Sequence, residues 1–183
     1  MESIQFKIAE TNEDFDAYFE HLAKLLTERN GVNGFPHFTP RLVVPEKISF
    51  LEKFKSELGK PISERNNQVF IAFDDNKKVL AHCVLQYHGI ESIKHRRHIN
   101  GFGVCPEHTG KGIAKKILKE VVSLCKKIDV EYLDLELFAT NLPAFELYKK
   151  VGFEQTGYTK DIARIGDLSL DDISMSLKIS EFK

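Results

Sequence analysis

This sequence is short of the features that assign a chain quickly. Net charge is almost absent: 26 lysines and arginines stand against 27 aspartates and glutamates, leaving −1 over 183 residues. Nucleic-acid binders are usually markedly basic, so that partner class is not expected. Cysteine is scarce, and Cys83, Cys105 and Cys125 lie far apart with no CxxC spacing. That excludes a disulfide framework or zinc ribbon and reads as reduced, cytosolic thiols. No stretch approaches the roughly 18 apolar residues of a membrane span. The opening MESIQFKIAE has no apolar signal core. No repeat or low-complexity tract is visible. The expectation from these absences is a cytoplasmic protein with no membrane or nucleic-acid partner and no metal. Its 183 residues suit one domain, and a chain of this size buries roughly 70% of its unfolded surface without a staple.

What is present is a mixture of two periodicities. Residues 4–8 alternate apolar and polar and read as a first strand. Thr11 or Asn12 can cap a helix carrying Phe15, Phe19, Leu22, Leu25 and Leu26, which ends at Asn30-Gly31. Residues 31–40, GVNGFPHFTP, have the composition of a loop, whose aromatics serve either as a lid or as packing. Ile48, Leu51, Phe54 and Leu58 space a second helix. Residues 69–73 and 79–87 around Asp74-Asp75-Asn76-Lys77 form a hairpin. The basic cluster 94–98, KHRRH, is too small for a nucleic-acid face, and its His95/His98 pair lacks a third ligand at a diagnostic spacing. It reads as a solvated turn into a central strand, residues 99–104, that is thinned by Gly101 and Gly103.

The stretch that organises the rest is residues 98–114, HINGFGVCPEHTGKGIA, an apolar strand, a short loop and the opening of a helix. A helix start leaves about four backbone N–H groups without partners, and the macrodipole adds roughly half a positive charge there. Such a loop seats a phosphate. Dinucleotide and P-loop patterns both fail, because Pro106 and Gly112 stand where they need glycine and Ser or Thr. The helix at 112–128 turns Ile113, Ile117, Val121, Leu124 and Ile128 inward. Residues 132–138, YLDLELF, alternate leucines with Asp134 and Glu136 as a further strand. Asn141 and Pro143 open a short helix closed by Gly152, and residues 153–158 and 172–179 form an antiparallel pair.

T-G-K-G-I-A at 109–114 resembles the pyrophosphate loop of the GNAT superfamily of acetyl-CoA-dependent N-acetyltransferases. That loop runs Arg or Gln, two free positions, Gly, one free position, then Gly or Ala. Gly112 and Ala114 match, and Thr109 departs from it. Residues 141–153, NLPAFELYKKVGF, resemble the family's N-x-x-A-x-x-L-Y-x-x-x-G-F at every defined position. The tail from Asp161, D-x-x-R-x-G followed by D-D-x-x-M, is similar to the closing strand of some family members. The likeness is specific over residues 98–179 and architectural before that.

The resemblance implies a single-domain α/β (α+β) fold over residues 1–183. Its sheet is mixed, mainly antiparallel, splayed at the centre and flanked by helices. It implies acetyl-CoA as cosubstrate. The implied contacts are the backbone of Phe102 and Val104, the loop Thr109, Gly110, Lys111, Gly112, Ile113, Ala114 and Lys115, and Asn141. Tyr148 corresponds to the general acid, and Glu136 to the base of ribosomal-protein N-acetyltransferases, with His98 and Asp134 as alternatives. The implied acceptor is a small-molecule or protein amine, and a homodimer is left open. The rival is a non-catalytic acyl-CoA-binding or sensor module.

Overall fold

The structure is a computed structural model describing residues 4–32 and 34–183. It is organised on a seven-stranded sheet of order β1-β2-β3-β4-β5-β7-β6. In chain order the elements are β1 (Gln5–Ile8), α1 (Asn12–Glu28), α2 (Lys47–Lys55), β2 (Asn67–Phe73), β3 (Val79–Gln86) and β4 (Arg96–Val104). They continue with α3 (Ile113–Lys127), β5 (Tyr132–Phe138), α4 (Leu142–Val151), β6 (Glu154–Ile165) and β7 (Leu168–Lys178). Every neighbouring pair is antiparallel except β4 and β5, which run parallel. The helix between β4 and β5 supplies the crossover that a parallel pair requires.

Local chemistry explains the boundaries. Thr11 caps α1 by accepting from the Asp14 amide at 3.2 Å, while the Asp14 carboxylate accepts from the Thr11 amide. This reciprocal box satisfies two of the orphan donors of the first turn. Gly112 (φ +76°) precedes α3, and Gly152 (φ +110°) ends α4, both in the left-handed region that side chains resist.

The core lies on both faces of the sheet. On one, α3 and α4 bury Ile113, Ile117 and Val121 against Leu133, Leu135 and Leu137 of β5. On the other, α1 and α2 bury Phe15, Tyr18 and Phe54 over Ile71 and Val84. The second layer covers the β2–β3 side and leaves the β5–β7 side to polar residues. There Asp134 and Glu136 stand opposite Ser176 and Ser174. All three cysteines are buried and free. Among the described residues no helix is long and apolar enough to cross a membrane.

Three expectations need correction. The basic cluster is not a solvated turn throughout: Arg96, Arg97 and His98 already belong to β4. Arg96 forks onto Asp134, and Arg97, 4% exposed, donates to the Lys94 and Arg96 carbonyls beneath the Tyr87 ring at 4.1 Å. Strand pairing absorbs these cations because each has a built partner, which the one-dimensional pattern does not display. The second helix stops at Lys55, and its Ile48 is exposed.

The tail is a long hairpin rather than a closing strand alone. Asp161–Ile165 finishes β6, and β7 starts at Leu168. Asp161 (φ +52°) ties the tip together by accepting from Arg164 and Ser169.

Candidate active site

The central opening follows from where β4 and β5 stop pairing. Their parallel register runs from Arg96–Tyr132 to Ile99–Leu135 and goes no further, although β4 continues to Val104 and β5 to Phe138. On the other side of β4, Val84 of β3 faces both Asn100 and Gly101, so the register shifts there. One extra residue in a strand bends it and increases its twist. Gly101, at φ +149°, takes a conformation that L side chains rarely adopt.

Backbone direction beyond the bulge is set by one bond. The Cys105 amide donates to the Leu80 carbonyl of β3 at 2.8 Å. Alternation then turns the polar groups of Val104 and Phe102 away from β3 and into the gap. Gly103 has a different cause. A Cβ there would collide with Leu25 Cδ1 and approach the His82 ring to 2.8 Å, so α1 can pack onto β4 only if this position has no side chain.

One continuous cavity of about 740 Å³ contains the gap and both its ends. Of the residues expected to hold the coenzyme, Phe102, Val104, Thr109, Gly110, Gly112, Ile113, Ala114, Lys115 and Asn141 all line it. Lys111 is not among its walls. Gly110 and Gly112 both have positive φ and open space where a Cβ would stand, so a ligand can approach the backbone at the start of α3. Asn141 caps α4, its Oδ1 accepting from the Ala144 amide at 3.4 Å.

The cavity also gains a cation that no local motif announces. Arg29, just past α1, donates through Nη1 to the Val104 carbonyl and comes 3.4 Å from Thr109 Oγ1. A guanidinium thus stands beside Thr109, brought from 80 residues earlier in the chain.

Tyr148 is 5% exposed and lines the cavity between the rings of Phe102 (6.2 Å) and Phe153 (5.3 Å). Burial drives its hydroxyl pKa up, so the phenol keeps its proton. Opposite the apolar wall, His98 and Glu136 also face the cavity, with His98 Nε2 2.8 Å from Glu136 Oε2. Burial lowers the His98 pKa, while Glu136 and then Asp134 pull it back up. Nearby, Asp172 is pushed up to about 6 by burial and by Glu136.

Of the three candidate bases, Asp134 is the one removed. Both its oxygens are taken by Arg96, whose Nη2 also reaches Ser176 Oγ at 3.0 Å. Among the described residues no three His, Cys, Asp or Glu side chains converge to hold a metal.

Comparison with known proteins agrees with this geometry. The family model described as "Acetyltransferase (GNAT) family" matches residues 35–153. The L-amino acid N-acetyltransferase AaaT of Escherichia coli (strain K12) is 35% identical over 71 residues, covering 37% of this chain and 44% of that protein. A putative [ribosomal protein bS18]-alanine N-acetyltransferase of Bacillus subtilis (strain 168) is 33% identical over 75 residues, covering 41% and 50%. The matched stretch thus spans about half the length of these curated relatives.

Among solved structures, a GNAT superfamily phosphinothricin acetyltransferase from Sinorhizobium meliloti in complex with AcCoA superposes with a TM-score of 0.77. It is 17% identical, over 96% of this chain and 88% of that one. The ribosomal-protein-alanine N-acetyltransferase of Brucella melitensis superposes equally well, at 0.77 and 16% identity over 95% and 99%. At these identities the superpositions establish the shared fold. With the family model covering more than half of its length, the chain belongs to the GNAT acetyltransferase family.

Proposed function

We propose that this protein, acting as one domain over its 183 residues, transfers an acetyl group from acetyl-CoA to a primary amine. One observation carries the reading. A single cavity joins a helix N-terminus, an unpaired stretch of β4, a protonated Tyr148 and the His98–Glu136 pair. The coenzyme fits these residues on physical grounds. Backbone amides and Arg29 suit its pyrophosphate, and the gap-facing groups of Phe102 and the Val104 amide suit its amide-bearing arm, the Val104 carbonyl being held by Arg29.

Bound there, acetyl-CoA supplies an acyl group on a thiol leaving group; the chain's residues supply proton movement and position. An alkylammonium with pKa near 10.4 costs about 4–5 kcal/mol to deprotonate at pH 7. His98 takes this proton, directly or through water. Its Nε2 is committed to Glu136, which leaves Nδ1 as acceptor, and its depressed pKa keeps it neutral at pH 7. The Tyr148 hydroxyl donates the proton that the leaving sulfur needs. Glu136 therefore stays in the base as the carboxylate that orients and stabilises the imidazole, and Asn141 holds the start of α4 and, with it, Tyr148.

The test is coenzyme A release, followed against a library of amines, beside the melting temperature with and without acetyl-CoA. A ligand that binds only the folded state raises melting by mass action. Acetyl-CoA should stabilise, and at least one amine should release the thiol. Stabilisation without release for any amine would favour the sensor reading, and a millimolar excess that leaves melting unchanged would remove the coenzyme assignment.

A further inference from the structure

The cavity has an arm that the acyl-transfer chemistry does not use, and its walls are unlike those of the coenzyme cleft. From the β4 bulge a continuous run of apolar and aromatic surface leads away beneath α1 and α2. Val84 Cγ2 lies 3.4 Å from where a Cβ of Gly101 would be, and the ring of His82 is 5.1 Å from Tyr18. Tyr18 is 6.2 Å from Phe50 and 5.7 Å from Phe54. At the far end stand two cations. Lys53 Nζ lies 4.7 Å from the Phe50 ring centre and 4.8 Å from that of Phe54, and the Arg41 guanidinium lies 5.9 Å from Phe50.

Both cations line the cavity, and among the described residues neither has a carboxylate partner. Elsewhere in the chain several cations are neutralised by carboxylates, as Lys24 is by Glu107 and Arg96 by Asp134. Burial and the neighbouring Arg41 lower the pKa of Lys53, so the two positive groups destabilise one another as they stand. The segment presenting Arg41 is nonetheless held in place. Asn30, 6% exposed, accepts from the Phe38 and Thr39 amides at 3.0 and 3.3 Å and donates to the Arg41 carbonyl at 2.8 Å. Two exposed cations without carboxylate partners, one carried on a held loop and both over aromatic rings, make a seat for an anion attached to an apolar body.

Resting on the acetyltransferase reading above, we infer that the acceptor is a zwitterion: an amine with an aromatic or bulky apolar body and a carboxylate that Arg41 and Lys53 bind. The amine end meets the acidic side of the cavity, where Glu136 faces His98 and Asp172 lies close by, and the acid end meets the basic side. Charge therefore fixes which way round the acceptor enters, and it opposes polyamines and aminoglycosides, which would bring further positive charge to Arg41 and Lys53. Arg41 and Lys53 stand in this arm, apart from Arg29, the β4 gap and the start of α3 that are proposed to hold the coenzyme, so acceptor choice and donor binding can be altered separately.

The experiment uses acid–amide pairs that differ only in the carboxylate. They are L-phenylalanine with its amide and glycyl-L-phenylalanine with its amide, the second placing the acid one peptide unit further from the amine; spermidine is the cationic control. Coenzyme A release is measured with the wild type and with the double variant Arg41→Gln, Lys53→Gln, whose fold is checked by melting.

In the wild type the acid of at least one pair should exceed its amide roughly tenfold or more in kcat/KM, the scale of a charge-assisted bond. In the double variant that ratio should fall towards one. Amides that match their acids, an acid preference that survives the double substitution, or spermidine as the best acceptor would each overturn the inference while leaving the acetyltransferase reading intact. Should neither these amines nor any of the library release the thiol, that reading fails, and calorimetry with the N-acetylated acids and amides decides the pocket separately. Tighter binding of an acid, lost in the double variant, supports it, whereas equal binding or none overturns it.

Discussion

The two halves of the cavity are built by different means. The half proposed to hold the donor is mostly backbone: the gap-facing groups of Phe102 and Val104, two glycines with positive φ and the N-terminus of α3. The acceptor half is side chains converging from separate segments. His98 comes from β4 and Glu136 from β5, Tyr18 from α1, and Arg41 from the loop before α2. Backbone recognition tolerates little change in conformation and much change in the surrounding side chains. Side-chain recognition is the reverse, and that asymmetry predicts where substitutions will be severe and what each will damage.

Tyr148→Phe should have the largest effect. The ring packs between Phe102 and Phe153, and phenylalanine preserves both contacts. If its hydroxyl is the acid, turnover should fall by roughly 10²–10⁴-fold, with acetyl-CoA affinity held within a few-fold. Side-by-side measurement of turnover and affinity checks this; full turnover in the variant would remove the acid role.

Next comes the donor half, with Gly112→Asp. The position has open space around it but φ +76°, so the damage comes from backbone strain and charge rather than from a clash. Placing a negative charge at the start of α3 opposes a phosphate at the same point. Acetyl-CoA affinity should drop by about two orders of magnitude, two charge-assisted bonds' worth, while the fold survives. Unchanged affinity by calorimetry would move the phosphate site elsewhere.

The contrast between the halves also explains what could be read from the chain alone. The donor half lies in two contiguous stretches, and periodicity placed its helices within a residue or two, although β4 starts three residues before the expected strand. The acceptor half has no such stretch, and neither has Arg29, the donor-side cation that comes from outside those two stretches. Nothing near residue 29 says that Arg29 reaches Thr109, and nothing near residue 41 says that Arg41 shares a wall with Tyr18. Arg96 and Arg97 looked like surface charge because their partners, Asp134 and Tyr87, are supplied by neighbouring strands and loops. Gly103 was recognisable as a thin point in a strand, but its cause, the close approach of Leu25 and His82, is a tertiary fact.

A third prediction concerns pH. Burial depresses the His98 pKa, and the Glu136 carboxylate partly restores it. The neutral form is the one that accepts a proton, so kcat/KM should fall as pH drops through that pKa, below the usual histidine range. Glu136→Gln removes the restoring charge. The acidic limb should then move to lower pH by up to about one unit, a typical effect of one near charge, and the plateau should drop by roughly tenfold with the weaker base. A limb that vanishes, with a much larger loss, would instead make Glu136 the direct base.

The smallest effect, and the one that best joins the halves, belongs to Arg29. Its guanidinium holds the Val104 carbonyl at the end of β4 and stands 3.4 Å from Thr109 Oγ1, with the Phe35 ring centre 4.9 Å away. Burial lowers its pKa, but a guanidinium starts so high that it remains charged at any working pH. Two roles fit that position, and they separate experimentally. As a phosphate ligand, Arg29 contributes one charge-assisted bond, so Arg29→Gln should weaken coenzyme A by about tenfold while leaving pantetheine, which lacks the phosphates, unaffected as a competitor. As a brace for the β4 end, it should weaken both equally and lower the melting temperature. Restoring a cation at the neighbouring position sharpens the choice. Thr109→Arg in the Arg29→Gln background should recover most of the lost affinity if the site needs only a positive group near the start of α3. It should recover none if the bond to Val104 is what counts, because a side chain at residue 109 replaces the charge without replacing the tie from α1 to β4.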